Sequence, residues 1–148
     1  RPVQNDLIAV KVNDFAIGTH AHETYLARHG EPQSVEDFSR HRLVGYDRDM
    51  QILNAMKAMG IPGDRSLFTF RTDDQVTYWE LVKAGAGIGF GSLWLGRQTP
   101  GVRRIVPELH IPALPMWLAS HQELRTSLKI RRVMDFLREA IGAMPLAA

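Results

Sequence analysis

Apolar positions along the chain recur at two spacings, one typical of helices and one typical of strands. The clearest helical spacing is near the carboxyl end, where four apolar residues share one face and charged residues lie off it. These four residues are Ile130, Met134, Leu137 and Ile141. A second helix is predicted from Asp49, with Ile52, Met56 and Met59 on one face. Gly60, with a proline two residues on, predicts its end.

Short apolar runs predict the strands. The first run, residues 6–19, predicts either one strand or a hairpin that turns at Asn13 and Asp14. Further strands are predicted at Leu43–Tyr46, Leu67–Arg71, Val102–Val106 and Leu114–Ser120. Between them, a short helix is predicted at His22–His29, and Ser34 with Asp37 has the pattern of a capping box. Alternating strands and helices predict an α/β protein with a largely parallel sheet.

The most unusual pattern is a run of glycines that follows a helix. Thr72 and Gln75 predict a capping box that starts this helix, and Gly85 predicts its end. A nucleotide-binding glycine motif instead follows a strand and opens a helix, so the order excludes a phosphate-binding loop here. A strand rich in glycine has space on one face. A packed helix is favoured over a ligand as the group that fills this space.

Composition limits the class of protein. The chain has 148 residues, enough for one domain or two small lobes, and 45% of them are hydrophobic. There are no cysteines, which excludes disulfides and thiol chemistry. The net charge is only +2 and the arginines are scattered, so this chain alone is not predicted to bind nucleic acid. No apolar run is long enough to predict a membrane span.

Three polar positions along the chain are candidates for chemistry. His20, His22 and Glu23 could bring two imidazoles to one side of a strand end, but a metal site needs further ligands, so a polar strand-to-helix turn is favoured. Ser92 lacks the flanking glycines of a nucleophile elbow and is predicted to cap a helix. At Thr72 and its two following acids, helix capping is favoured over ligand contact, although both can hold.

Three groups of segments, in order, resemble the effector-binding domain of LysR-type transcriptional regulators. The first group is Tyr25–Gly30, Pro32, Ser34–Phe38 and His41–Val44. The second is Leu81–Gly89, and the third is Pro115–Leu118 with Ser127–Leu137. The resemblance depends on the order and spacing of these segments, which extend over nearly the whole chain.

This resemblance implies an α/β, periplasmic-binding-protein-like (type 2) fold, with two α/β lobes joined by two crossover strands. On this basis, residues 1–46 and 109–148 are expected to form lobe one, and residues 47–108 lobe two. Leu43–Tyr46 is the expected outgoing crossover and residues 110–118 the return. The family's winged helix-turn-helix is expected to be absent from this chain. Lobe one is expected to be incomplete at its N-terminus, without its first strand–helix–strand.

The resemblance also implies where a small molecule binds. Ligands of open α/β sheets collect at the carboxyl ends of strands, and the expected cleft residues were chosen there. The expected effector-binding residues are Thr19, His20, His22, Gly45, Tyr46, Thr72, Asp73, Gly91 and Ser92. Threonine hydroxyls and backbone N–H groups would donate hydrogen bonds, and Tyr46 would form an aromatic wall. No catalytic residue, metal or cofactor is expected.

The resemblance therefore predicts a cytoplasmic, ligand-sensing regulatory domain that is not an enzyme. Its expected partners are a small-molecule effector and further copies of itself in a homodimer or tetramer. DNA contact is expected only through the missing N-terminal domain, and no membrane contact is expected. Two alternatives stay open. A solute-binding protein of a transporter predicts an export signal upstream of Arg1, and a metal-dependent enzyme predicts stoichiometric metal at His20 and His22.

Overall fold

The computed structural model describes residues 6–145, apart from the side chains of residues 125 and 126. The strands are β1 Leu7–His22, β2 Leu43–Gly45, β3 Phe68–Arg71, β4 Gly89–Ser92, β5 Val102–Ile105 and β6 Ile111–His121. The α-helices are α1 Glu23–His29, α2 Gln51–Ala58, α3 Gln75–Lys83, α4 Leu93–Gln98 and α5 Leu128–Gly142. Short 3-10 helices occupy Glu36–Arg40, Arg65–Leu67 and Gln122–Thr126. The ends of the expected lobe one, residues 1–5 and 146–148, lie outside the described residues.

Contacts divide the chain into two units. Unit 2 comprises Ala16–Pro112, and unit 1 comprises the residues up to Phe15 and from Ala113 onward. The first boundary lies within β1 and the second within β6. The expected lobe bounds, with lobe two at residues 47–108, stay a prediction. In the structure, Leu43–Gly45 pairs with Phe68–Arg71 and is bridged to Ile88, and all of these residues belong to unit 2.

The described strands of unit 2 belong to one sheet around β1 and to a second, two-stranded sheet of β2 and β3. β1 pairs antiparallel with β4 on one side and with β5 on the other. β2 and β3 pair in parallel, and Leu43 of β2 forms a parallel bridge to Ile88, next to β4. The expected α/β class is confirmed, but the expectation of a largely parallel sheet is wrong for β1. Apolar runs mark a strand without giving its direction, and this strand enters unit 2 without the crossover helix that a parallel neighbour requires.

The hydrophobic core lies in unit 2. All the fully buried apolar side chains of the described residues belong to this unit, including Tyr25, Leu43, Val44, Ile88 and Ile105. Helix α3 adds Tyr78, Trp79 and Val82 to this core. Burial of such side chains is the main favourable contribution to folding, so unit 2 has the better developed core.

Unit 1 contains the start of β1 together with β6 and α5. The hairpin alternative for residues 6–19 is wrong, because β1 continues through Asn13 without a turn. The Asn13 side-chain amide instead donates to the carbonyl of Ile141 at 2.7 Å and to that of Met144 at 3.2 Å. This polar side chain, which suggested a turn in the sequence, therefore ties β1 to the end of α5.

Helix α5 confirms the strongest helical pattern in the sequence. Its predicted apolar face is half-buried, and none of its residues is fully buried. Leu128, Val133 and Phe136 are exposed. A groove of about 300 Å³ lies beside the helix. Its lining residues are Ile8, Ser120, Leu124, Ile130, Arg131, Met134 and Asp135.

The predicted capping box at Ser34 and Asp37 forms only in part. A 3-10 helix begins at Glu36, and no side chain caps it at Val35. Asp37 accepts hydrogen bonds from the backbone N–H groups of Gln33 at 2.9 Å and Ser34 at 3.2 Å. The acidic residue thus makes the backbone contact expected of a capping box, whereas the serine does not cap the helix.

Candidate functional site

All nine predicted site residues lie in unit 2, but the sheet separates them into two groups. The register places Ile17 beside Ser92 and His20 beside Gly89, while His22 lies beside Val102. Since β1 runs against β4, its carboxyl end lies at the opposite edge of the sheet from the carboxyl end of β4. His20 and His22 therefore lie toward the edge opposite Gly91 and Ser92, and Thr19 lies between the two edges beside Phe90. The predicted site residues stay a prediction.

The other predicted residues lie at, or just after, the carboxyl ends of β2, β3 and β4. We call this the strand-end edge and define it by residues 45–49, 71–75 and 91–92. It includes Gly45, Tyr46, Thr72, Asp73, Gly91 and Ser92 from the predicted set. The parallel pairing of β2 with β3, and of Leu43 with Ile88, directs the three strand ends the same way. This edge is the position at which open α/β sheets bind ligands.

Tyr46 joins the end of β2 to the start of α3. Its hydroxyl donates to the Gln75 side-chain oxygen at 3.1 Å, and its half-buried ring lies 5.2 Å from the ring of Tyr78. The N–H of Thr72 donates to the carbonyl of Gly45 at 3.1 Å. The edge therefore presents an aromatic ring, an amide and a hydroxyl close together. Such groups bind small polar molecules without ionic chemistry.

Asp73 holds the loop after β2. The backbone N–H groups of Asp47, Arg48 and Asp49 all donate to its carboxylate, at 3.0, 3.0 and 3.1 Å. The Arg48 side chain also lies 3.4 Å from this carboxylate. These N–H groups, that of Asp49 first, lower the pKa of Asp73 below its usual range. Asp73 is therefore ionised at neutral pH, and both of its carboxylate oxygens accept hydrogen bonds within the protein.

The N-cap of α3 is Asp74, two residues later than predicted. Its carboxylate accepts from the N–H of Thr77 at 2.7 Å, whereas the Thr72 hydroxyl accepts from the N–H of Asp74 at 3.2 Å. Gln75 does not complete a capping box with Thr72, because its side chain binds Tyr46. Aspartate is as good an N-cap as serine and better than threonine, so the residue type at position 74 already favoured Asp74 over Thr72 as the cap.

The glycines of β4 accommodate helix α3. A Cβ atom added at Gly89 would lie 2.4 Å from Val82, and one added at Gly91 would lie 2.6 Å from the ring of Trp79. The favoured interpretation, a packed helix over the glycine strand, is confirmed. Ser92 caps α4 by accepting from the N–H of Leu95 at 3.1 Å, which confirms its predicted role.

Thr19 and His20 are buried residues of the sheet. The Thr19 hydroxyl donates to the carbonyl of Ile105. The His20 ring is 1% exposed, lies 5.6 Å edge-on from Trp79, and has no hydrogen-bond partner at Nδ1. Burial lowers the pKa of His20 to about 4; a backbone hydrogen bond with Gly18 counteracts this in part, and the charge of Arg104 adds to it. The imidazole is therefore neutral at pH 7, and it packs in the interior.

His22 is the N-cap of α1. Its Nδ1 accepts from the N–H of Thr24 at 3.2 Å and lies 2.9 Å from the Thr24 hydroxyl. Its ring lies against Gly101, where an added Cβ would approach Nε2 to 2.3 Å. Among the described residues, no group of three or more histidine, cysteine or acidic side chains is arranged to hold a metal ion. His22 therefore has the role of the polar strand-to-helix turn that was favoured over a metal site.

Comparison with known proteins identifies the family. The model of the LysR substrate binding domain matches residues 1–142. The regulatory domain of CrgA, a LysR-type transcriptional regulator from Neisseria meningitidis, is 26% identical, with a TM-score of 0.83 over 96% of this chain and 72% of that chain. The effector domain of the regulator AmpR of Pseudomonas aeruginosa is 15% identical, with a TM-score of 0.72 over 94% and 66%.

Full-length regulators match as well. The Vibrio cholerae virulence activator AphB is 16% identical, with a TM-score of 0.67 over 93% of this chain and 48% of that chain, so the chain spans about half its length. No curated protein sequence matches significantly. No helix among residues 6–145 has the length and hydropathy of a membrane span. These matches do not favour a transporter's solute-binding protein. The chain belongs to the LysR substrate binding domain family, the periplasmic-binding-protein-like (type 2) effector-binding domains of LysR-type transcriptional regulators, which are not enzymes.

Proposed function

We propose that this chain is the ligand-sensing part of a LysR-type regulator and that its effector binds at the strand-end edge of unit 2. The observation that carries the proposal is the meeting of Tyr46, Gln75 and Thr72 at the carboxyl ends of parallel strands. This position agrees with the general rule for ligands of open α/β sheets. The family match supports a regulatory rather than a catalytic task.

The proposed set of ligand-contacting residues is smaller than the predicted set, and it adds Gln75, which was not predicted. Tyr46 and Gln75 provide the aromatic ring and the amide, and Thr72 provides a hydroxyl. From the other predicted residues, Gly45, Asp73, Gly91 and Ser92 shape the edge. Thr19, His20 and His22 support the sheet and do not contact the ligand in this proposal, because two are buried and the third caps α1.

Signalling in this proposal is a population shift. The family resemblance implies a cleft between two lobes, and we propose that the effector binds in that cleft. An effector can favour one lobe arrangement only by as much as its affinities for the two arrangements differ. The shift reaches DNA through a separate N-terminal DNA-binding domain and through contacts between copies in a dimer or tetramer. This proposal implies a cytoplasmic location, because the regulator acts on DNA in the cytoplasm.

The test is thermal unfolding of the protein against a panel of small metabolites. A ligand that binds only the folded state raises the midpoint, and at about 100 times Kd the gain is about 2.7 kcal/mol. The gain is expected to fall with Tyr46→Phe and with Thr72→Ala. Thr69→Ala, an exposed threonine of β3, is the matched control, and His22→Ala tests the opposite edge.

The outcomes separate the two edges of the sheet. A ligand whose effect is lost with Thr72→Ala and kept with Thr69→Ala and His22→Ala supports the strand-end edge. A ligand whose effect is lost only with His22→Ala contradicts this location. A panel that contains the true effector of the regulator, identified from its target genes, and yet shifts no midpoint contradicts effector sensing by this chain.

A further inference from the structure

Three consecutive backbone N–H groups in the loop after β2 converge on one carboxylate. The N–H groups of Asp47, Arg48 and Asp49 lie 3.0, 3.0 and 3.1 Å from Oδ1 of Asp73. The Arg48 N–H also lies 3.1 Å from Oδ2, and its Nε lies 3.4 Å from the same oxygen. Convergent N–H groups of this kind form an anion-binding nest. Here the nest is filled by the protein's own carboxylate.

The charges around this nest also disfavour an incoming anion. Besides Asp73, the segments that form the strand-end edge contain three further aspartates and two arginines: Asp47, Asp49, Asp74, Arg48 and Arg71. The two arginines are already paired, Arg48 with Asp73 and Arg71 with Asp47 at 3.6 Å. An anion approaching the strand-end edge therefore meets a local excess of negative charge, and like charges at such distances repel. The donors that could compensate this repulsion are occupied by Asp73.

We propose that Asp73 is a specificity residue of the strand-end edge and that it selects for ligands without an anionic group. The proposal rests on the proposed function for the position of the ligand. By filling the nest, Asp73 withdraws the charge-assisted hydrogen bonds that a carboxylate or phosphate would need. The groups left for recognition are the Tyr46 ring, the Gln75 amide and the Thr72 hydroxyl. These groups bind uncharged polar molecules, and the ring also attracts cations.

The nest can be tested with acetate alone. Acetate is titrated at constant ionic strength into isotope-labelled protein, and the backbone amide resonances of residues 47–49 are followed by NMR. Asp73→Ala empties the nest. Asp64→Ala is the matched control, because Asp64 is another aspartate whose carboxylate binds backbone N–H, but from one residue only, Ser66 at 2.7 Å. In Asp73→Ala, acetate is expected to shift the three amide resonances saturably. The Kd for acetate is expected to be at least about tenfold lower than in wild type or Asp64→Ala.

Two results would overturn the proposal: no saturable shift of these amides in Asp73→Ala, or an equal shift in the wild-type protein. If Asp73→Ala does not fold, Asp73→Asn keeps the side-chain shape and one acceptor while it removes the charge. Acetate is then expected to bind more tightly than to wild type, and equal binding counts against the proposal.

The acetate result does not depend on finding the effector. A metabolite panel without a ligand leaves the nest measurement intact and counts only against the proposed function. Conversely, a carboxylate or phosphate metabolite that shifts amides 47–49 of the wild-type protein supports the strand-end edge as the binding position. That same result overturns the selectivity assigned to Asp73.

Discussion

Protonation of His20 is expected to destabilise unit 2, and the size of the effect follows from its environment. The ring is 1% exposed, touches Trp79, and has Nδ1 without a partner. Its pKa falls from 6.5 to about 4, chiefly because burial disfavours the charged imidazolium. Each pKa unit corresponds to about 1.36 kcal/mol, so about 3 kcal/mol of unfolding free energy is at stake.

The sign follows from proton counting. Between about pH 6.5 and pH 4 the unfolded chain binds a proton at His20 and the folded chain does not. The free energy of unfolding therefore rises with pH in this window. The contribution of neutral His20 to it is lost as the pH falls from about 6.5 to about 4. Carboxylates whose pKa is lowered in the folded state, such as Asp73 and Asp74, add a loss of the same sign at lower pH. The contribution of His20 is therefore obtained as the difference in unfolding free energy between wild type and a variant without this histidine.

The assay compares wild type with His20→Leu by urea denaturation at several pH values, from about pH 7.5 to about pH 4.5. Linear extrapolation gives the free energy of unfolding at each pH. Wild type is expected to lose about 2–3 kcal/mol more than the variant over this range. His110→Leu is the control, because His110 is exposed, and its curve is expected to parallel that of wild type.

Parallel pH curves for wild type and His20→Leu would refute this reasoning. Such a result would mean that the folded protein accommodates the imidazolium, with Arg104 moving away or water reaching Nδ1. A ring-proton titration of His20 by NMR then measures the pKa of this imidazole in the folded protein directly. A midpoint near 6.5 in the folded protein would show that the ring is solvated rather than packed.

Substitutions at three further residues test the packing and the capping of α3. Tyr78→Phe is expected to cost about 1–3 kcal/mol in urea denaturation, because it leaves the N–H of Phe90, now 2.7 Å from the Tyr78 hydroxyl, without a partner. Gly89→Ala is expected to cost about 1–3 kcal/mol, because its Cβ would lie 2.4 Å from Val82; an unchanged midpoint would show that α3 moves aside easily. Asp74→Ala is expected to cost about 1 kcal/mol through the lost N-cap, and Asp74→Asn to restore most of it.

Local patterns predicted the elements well, since their signals are local. The 3.6-residue spacing predicted α5, and alternating glycines predicted a strand covered by a helix. Ser92 was predicted to cap α4, and it does. Each of these features is decided by neighbours within a few residues along the chain. The same holds for the error at Thr72, because Thr72 and Asp74, two residues apart, are both candidate caps of α3, and Asp74, the residue type with the stronger N-cap preference, is the cap.

Strand direction was the feature that local patterns could not supply. His20 and His22 were assigned to a ligand site because they end a strand, and strand ends collect ligands in parallel sheets. The rule applies to one edge of the sheet, and β1 ends at the other. The local sequence pattern, a polar residue at a strand end, is therefore the same at the end of β1 as at the end of β4. Only the register between β1 and β4 shows that the two ends lie at opposite edges.

Burial completes the separation of the two groups of candidate residues. His20 is polar in sequence but behaves as a core side chain, because a neutral imidazole tolerates an apolar site at the expense of a lowered pKa. Tyr46 counts among the hydrophobic residues of the sequence, yet its ring is only half-buried and its hydroxyl binds Gln75 at the strand-end edge. The expected site included His20 and left out Gln75. Gln75 lies at the strand-end edge and His20 is buried within unit 2, and on this basis we propose that Gln75 rather than His20 contacts the ligand.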